Sequence, residues 1–263
     1  MLTNITIGQY ISGDSAIHKL DPRVKILITI ILITALFIIK TFTGFLIYLI
    51  YVLLILFLSN ISVIRVLKGL KPLFFLILIT MVFHLFLTRG GEVIWQWKFL
   101  RIEEEGLFTG LFMTSRIALL IMFTSLLTLT TSPLQLTDGI EYLLSPLKRF
   151  GVPAAELAMM MTIALRFIPT LLSEAEKIMK AQMARGADFE SGNIVKRAKK
   201  LIPLLVPLFI NAFRRAEELA LAMESRSYRG GEGRTRLHEL KLEKIDFISF
   251  VFSLIFAIAI SFF

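Results

Sequence analysis

Long uninterrupted apolar runs decide what this chain can fold into. Phe42 to Leu58 contains no charged side chain, and similar runs recur along the sequence. A helix crossing a bilayer needs roughly 17–25 such residues, because in hydrocarbon its backbone must satisfy its own polar groups. The runs are continuous rather than alternating, which excludes a membrane β-barrel. Five spans are expected, at about Val24–Ile39, Phe42–Leu58, Leu73–Leu87, Leu107–Thr130 and Ile245–Phe263. The first is short, with Lys25 and Lys40 placed to snorkel from its ends. No cleavable signal peptide is visible, since the first turns are polar.

The positive-inside bias of lysine and arginine orients the spans. With the N-terminus in the cytoplasm, segments 1–25, 59–72 and 131–244 lie inside and carry 24 of the 29 basic residues. The two short inner segments hold Lys19, Arg23 and Lys25, and Arg65, Lys68 and Lys71. The C-terminus is then expected outside. The outer loop carries Lys98, the acidic run Glu103–Glu105, and Trp95 and Trp97, which suit an interface belt.

Segment 131–244 is too polar as a whole to span and too rich in helix formers to be a loop. Apolar residues from Leu157 (Met161, Ala164, Ile168, Leu171) and from Leu201 (Leu205, Leu208, Ala212) fall at helical period. Glu174–Lys177, Glu176–Lys180 and Arg214–Glu218 are spaced to meet on helix surfaces. The segment reads as a cytoplasmic arm with helices at about 134–149, 153–186 and 194–228. Ser132 caps the first, with Pro133 in its first turn. Pro153 opens the second, Ala187–Asn193 connects the long pair, and Gly230, Gly231 and Gly233 follow the last. Pro169, Pro203 and Pro207 should kink or interrupt the helices. The expected organisation is therefore all-α: N-terminal segment and four spans over 1–130, the arm over 131–244, and a last span over 245–263.

Both long helices end in an arginine between small residues, Ala184-Arg185-Gly186 and Ser225-Arg226-Ser227, with the arginines 41 residues apart. A helix C-terminus carries partial negative charge and orients a cation. Small neighbours leave the guanidinium open to grip a carboxylate through two parallel hydrogen bonds. Either ending alone reads as ordinary capping. Two copies on adjacent helices point to docking onto a pair of similar subunits.

Four stretches together resemble the transmembrane T component of energy-coupling factor transporters. They are Gly8-Gln9-Tyr10 with Gly13-Asp14-Ser15; His18-Lys19-Leu20-Asp21-Pro22-Arg23-Val24-Lys25; Arg166-Phe167-Ile168-Pro169-Thr170; and the two arginine endings. The resemblance implies a non-catalytic subunit in the cell membrane that joins two cytoplasmic ABC-type ATPases to a separate substrate-binding membrane subunit, for uptake of a vitamin or metal ion. It implies that ATP and magnesium are held by the ATPases, with no cofactor on this chain, and that Arg185 and Arg226 each dock into one ATPase. The long helices would act as levers. Their methionines, Met159, Met160, Met161, Met179, Met183 and Met223, suit a surface that repacks against several partners. The second ending departs from the pattern, with serines where alanine and glycine are common.

Other activities are weakly represented. The chain has no cysteine, hence no disulfide, thiolate nucleophile or thiolate zinc site. His18, His84 and His238 lie far apart. No GxxxxGK[ST] loop is present, and Gly230-Gly231-Glu232-Gly233 follows a helix rather than preceding one. From Asp138 to Lys244 eighteen basic residues interleave with thirteen acidic ones, a salt-bridged surface rather than a nucleic-acid site. A stand-alone transporter or channel would need polar residues converging at mid-membrane or broken helices repeated in two halves, and neither is seen. Asp21-Pro22-Arg23 reads as a capped helix start with a basic anchor. Arg116 and His84, inside or near spans, read as structural.

Overall fold

A computed structural model describes residues 10–97, 100–189, 193, 195, 199–228, 230 and 240–262. Gly8, Gln9, Lys98, Gly231, Glu232, Gly233, His238 and part of the 187–193 connection lie outside the described residues. The architecture is helical: α1 (Ala16–Lys19), α2 (Pro22–Ile38), α3 (Phe42–Ser59), α4 (Val63–Leu70), α5 (Phe74–Leu87), α6 (Glu104–Thr130), α7 (Pro133–Leu144), α8 (Ala154–Ala184), α9 (Ile202–Ser225) and α10 (Lys244–Ile260). Between α5 and α6 lies an antiparallel hairpin of β1 (Val93–Trp97) and β2 (Leu100–Glu103), which the apolar periodicity did not announce. The chain divides into two compact units, one within 140–239 and one of 8–139 with 240–263.

Among the described residues four helical stretches are long and apolar enough to cross a membrane: Phe42–Ser59, Val63–Leu87, Glu104–Thr130 and Ala154–Ala184. α2 and α10, at the expected first and last spans, are not among these four; they have 17 residues each, about 25 Å of helix at 1.5 Å per residue. Two expectations change. The inner segment 59–72 is mostly helix: α4 joins α5 through a 3₁₀ turn at Lys71–Leu73, so Arg65 and Lys68 ride on a helix rather than a loop. The segment 131–244 was judged too polar to span, yet α8 qualifies, because its first half is apolar and its charges gather after Ser173.

In the unit of 8–139 and 240–263, the core gathers Leu32 and Leu36 of α2, Tyr48, Val52 and Leu56 of α3, Phe123 and Leu126 of α6, and Ala257 and Ile260 of α10. Two hydroxyls in it are satisfied: Tyr48 Oη donates to the Leu32 carbonyl at 3.3 Å, and Tyr51 Oη lies 2.8 Å from Ser253 Oγ. Tyr51 also stacks on Phe256, 4.0 Å between ring centres. Gly106 and Gly110 let α6 lie directly on α5. A Cβ on Gly106 would sit 2.9 Å from the Thr88 carbonyl oxygen and 3.0 Å from that of His84. Small residues four apart serve helix contact in membranes in this way.

The entrance to α2 is a buried polar knot. Asp21 caps the helix, accepting from the Arg23 N–H at 2.8 Å, while its carboxylate holds the Arg23 guanidinium through Nε at 2.9 Å and Nη2 at 2.7 Å. Arg23 Nη2 also donates to the Leu240 carbonyl. The Asp21 N–H donates to Asp246 Oδ1 at 2.7 Å, and Asp246 closes a reciprocal cap with Glu243 at the start of α10. Lys25 does not snorkel. It is buried, and its Nζ donates to the carbonyls of His18 and Thr130, each at 3.0 Å. All of these groups are buried inside the protein, away from water, so they must satisfy one another. The capped-start reading of Asp21-Pro22-Arg23 therefore holds, and the motif also ties α2 to α10.

His84 contacts Thr88 Oγ1 at the end of α5 (3.1 Å). Arg116 reaches the Ile39 carbonyl at 2.8 Å, with its guanidinium 5.0 Å from the centre of the Phe112 ring and near those of Phe37 and Phe45.

Replacing Asp21 by Ala strands the Arg23 guanidinium in a buried site and should cost about 3–5 kcal/mol. The double replacement Asp21→Ala, Arg23→Met should cost less than Asp21→Ala alone, because no buried charge is left unpaired. Thermal unfolding in detergent, followed by tryptophan fluorescence, compares the two; a double variant as unstable as the single one contradicts the charge account.

Candidate docking site at two helix ends

The two arginine endings have the same hydrogen-bond geometry. In α8 the last helical residue is Ala184 and Arg185 is the cap. The Gly186 N–H donates back to the Met183 carbonyl at 2.9 Å and the Ala187 N–H to that of Gln182 at 3.0 Å. In α9 the last helical residue is Ser225 and Arg226 is the cap. The Ser227 N–H donates to the Glu224 carbonyl at 2.8 Å and the Tyr228 N–H to that of Met223 at 3.0 Å. Each is a Schellman end, which satisfies carbonyls that a helix terminus otherwise leaves unpaired.

That geometry explains the third residue of each triplet. The position after the cap must turn left-handed, and Gly186 has φ +89° and Ser227 φ +57°. Nothing lies within 4 Å of where a Cβ on Gly186 would stand, so the demand comes from the backbone and not from crowding. The serine that departs from the resemblance thus occupies a conformation costing an L-residue about 1–2 kcal/mol. Arg185 and Arg226 are exposed, as are Ala184 and Ser225. Each guanidinium stands at the negative end of a helix and is free of steric cover.

The helices behind these ends pack together within one unit. Glu174, expected to meet Lys177 on its own helix, forms an ion pair with Arg215 of α9. Arg166 is exposed on α8. The prolines do not interrupt the helices. α8 continues through Pro169 and α9 through Pro207, while Pro203 falls in the first turn of α9, where a missing N–H costs nothing. Ser132 caps α7 as expected, its Oγ accepting from the Gln135 N–H and its own N–H donating to Gln135 Oε1. Asp21, Pro22 and Arg23 belong to the other unit. Sequence reasoning missed Asp246 and Arg215. The Glu243-x-x-Asp246 spacing of a reciprocal cap was available for the first; for the second only the tertiary contact distinguishes Arg215 from its neighbour Arg214.

Comparison with known proteins identifies the family. The family described as "Cobalt transport protein" (CbiQ) matches residues 13–237. The chain is similar to proteins named energy-coupling factor transporter transmembrane protein EcfT. It is 58% identical to that of Clostridium kluyveri over 97% of this chain and 95% of the relative. It is 54% identical to that of Acidaminococcus fermentans over 94% and 91%, and 45% identical to that of Bacillus subtilis over 100% and 99%.

Gly186→Ala should loosen its helix end by about 1 kcal/mol, enough to speed amide exchange at Ala187 about fivefold. Ser227→Gly should slow exchange at Tyr228 by relieving the left-handed strain. Hydrogen exchange read by mass spectrometry checks both; unchanged rates at both amides would refute the backbone account of the triplets.

Proposed function

Because this chain belongs to the CbiQ family and with the transmembrane proteins of energy-coupling factor transporters, we propose that it couples two cytoplasmic ABC-type ATPases to a separate substrate-binding membrane subunit. The observation that carries this reading is the repeated helix end: two exposed arginines, each presented by the same Schellman geometry on neighbouring helices. Two plugs of the same hydrogen-bond geometry suit two similar sockets, and a guanidinium held at a rigid terminus loses little freedom when it grips a carboxylate.

In this proposal Arg185, Arg226 and the charged second half of α8 face the cytoplasm, as do the N-terminus and α4 with its Arg65 and Lys68, in keeping with the positive-inside rule. Arg185 and Arg226 move with the ATPases as ATP closes and reopens them, and α8 and α9 carry that motion toward the substrate-binding subunit. Exposed apolar residues such as Met160, Met161 and Phe209 offer that subunit a surface. ATP and magnesium stay with the ATPases. The transported vitamin or metal ion is read by the separate subunit, so its identity is not written in this chain.

Truncating one partner of a desolvated charge pair costs about 2–5 kcal/mol. Arg185→Ala and Arg226→Ala should each weaken ATPase capture at least tenfold, and the double variant should abolish it. Affinity purification from the host membrane in mild detergent, with co-purifying proteins identified by mass spectrometry, reads the result. ATPases retained in full by the double variant would overturn the assignment.

A further inference from the structure

Glu174 and Arg215 join α8 to α9 at one point far from either docking end. The Glu174 side chain is only 17% exposed, and its Oε2 is buried without a hydrogen-bond partner. The adjacent Ala175 is the one described residue in the second half of α8 that is buried. Beyond this level apolar side chains stand open: Met183 on α8 is 49% exposed and Leu221 on α9 is 60% exposed. Past the ion pair the contact between the helices continues less tightly, with Ile178, Met179, Leu219 and Met223 half-buried.

The spacing from that point is equal on both helices. Arg185 lies eleven residues after Glu174, and Arg226 lies eleven residues after Arg215. Eleven residues make about three turns and about 16 Å of helix, so each arginine stands roughly on the same side of its helix as its member of the pair. With two arms of equal length from a common point, the separation of the tips depends on the angle between the helices. Opening that angle by about 10° would displace a tip by about 3 Å at this arm length.

We propose that the Glu174–Arg215 ion pair is the pivot that sets the separation and facing of Arg185 and Arg226, so that both meet their ATPase sockets at once. Glu174 and Arg215 are positioning residues: they act through the arginines and touch no ATPase themselves. The inference rests on the docking role proposed above, but the geometry it asserts can be measured without any ATPase. An ion pair merely adding stability would leave the distance between the arms unchanged in any variant that still folds.

The chain contains no cysteine, so spin labels can be placed at Ala181→Cys and Ala222→Cys, both exposed, in the full protein in lipid nanodiscs. Electron–electron resonance should give a narrow distance distribution. It should broaden or shift by several Å in Glu174→Gln and in Arg215→Gln, and narrow again in the exchanged variant Glu174→Arg, Arg215→Glu. A distribution unchanged in both single variants, or not restored by the exchange, overturns the pivot. ATPase capture by the same unlabelled proteins should fall about tenfold in Glu174→Gln and return in the exchanged variant; capture that ignores the pair overturns its part in docking. If Arg185→Ala, Arg226→Ala keeps its ATPases while the distances still follow the pair, the docking reading fails and the pivot geometry stands.

Discussion

A positive charge that leaves water must find a fixed negative partner, and in this chain that partner is repeatedly the carbonyl end of a helix. The Lys25 ammonium closes the ends of α1 and α6 at once, through the carbonyls of His18 and Thr130. Arg116 reaches the carbonyl of Ile39, just past the last residue of α2. These carbonyls have no acceptor role left inside their own helices, and they carry the negative end of the dipole. A cation there meets a need the helix already has. The Asp21–Arg23 pair and Asp246 complete the arrangement, because a buried site would leave any remaining charge unpaired.

The same physics works in the open at the two arginine ends. Arg185 and Arg226 cap their helices, but each Schellman turn has already satisfied carbonyls there through the N–H groups that follow. The guanidiniums are thus oriented by the dipole without being used up by it. A buried cation on a helix end locks one element to another; an exposed one on a pre-satisfied end remains available to a partner. This difference separates the knot at α2 from the two exposed arginine ends, although both are built of basic residues near helix termini.

Much of this was legible in the residues. The spans follow from apolar run length, the cap at Ser132 from its side chain and the proline after it, and the helix ends at 185 and 226 from small residues flanking an arginine. Of the expected kinks or interruptions at Pro169, Pro203 and Pro207, no interruption is seen; periodicity does not say where a first turn begins, and Pro203 lies within one. The basic residues of segment 59–72 mark its side of the membrane but not its conformation; Val66 is buried and α4 forms around it. Lys25 was read as snorkelling, since nothing local shows that the carbonyls of His18 and Thr130 would meet at its ammonium.

By itself the sequence determined the helical class, three of the apolar helices long enough to span, and the two arginine endings. These depend on short-range quantities: the hydrophobicity of a run, the spacing of a helical face, and the backbone preference of a residue next to a cap. Tertiary structure decided which charges are buried and with whom. It brought Asp246 to Asp21 across 225 residues and Arg215 to Glu174 across 41. Such pairings are governed by the meeting of distant segments, where burial raises the cost of an unpaired charge and so selects one partner among many of like chemistry.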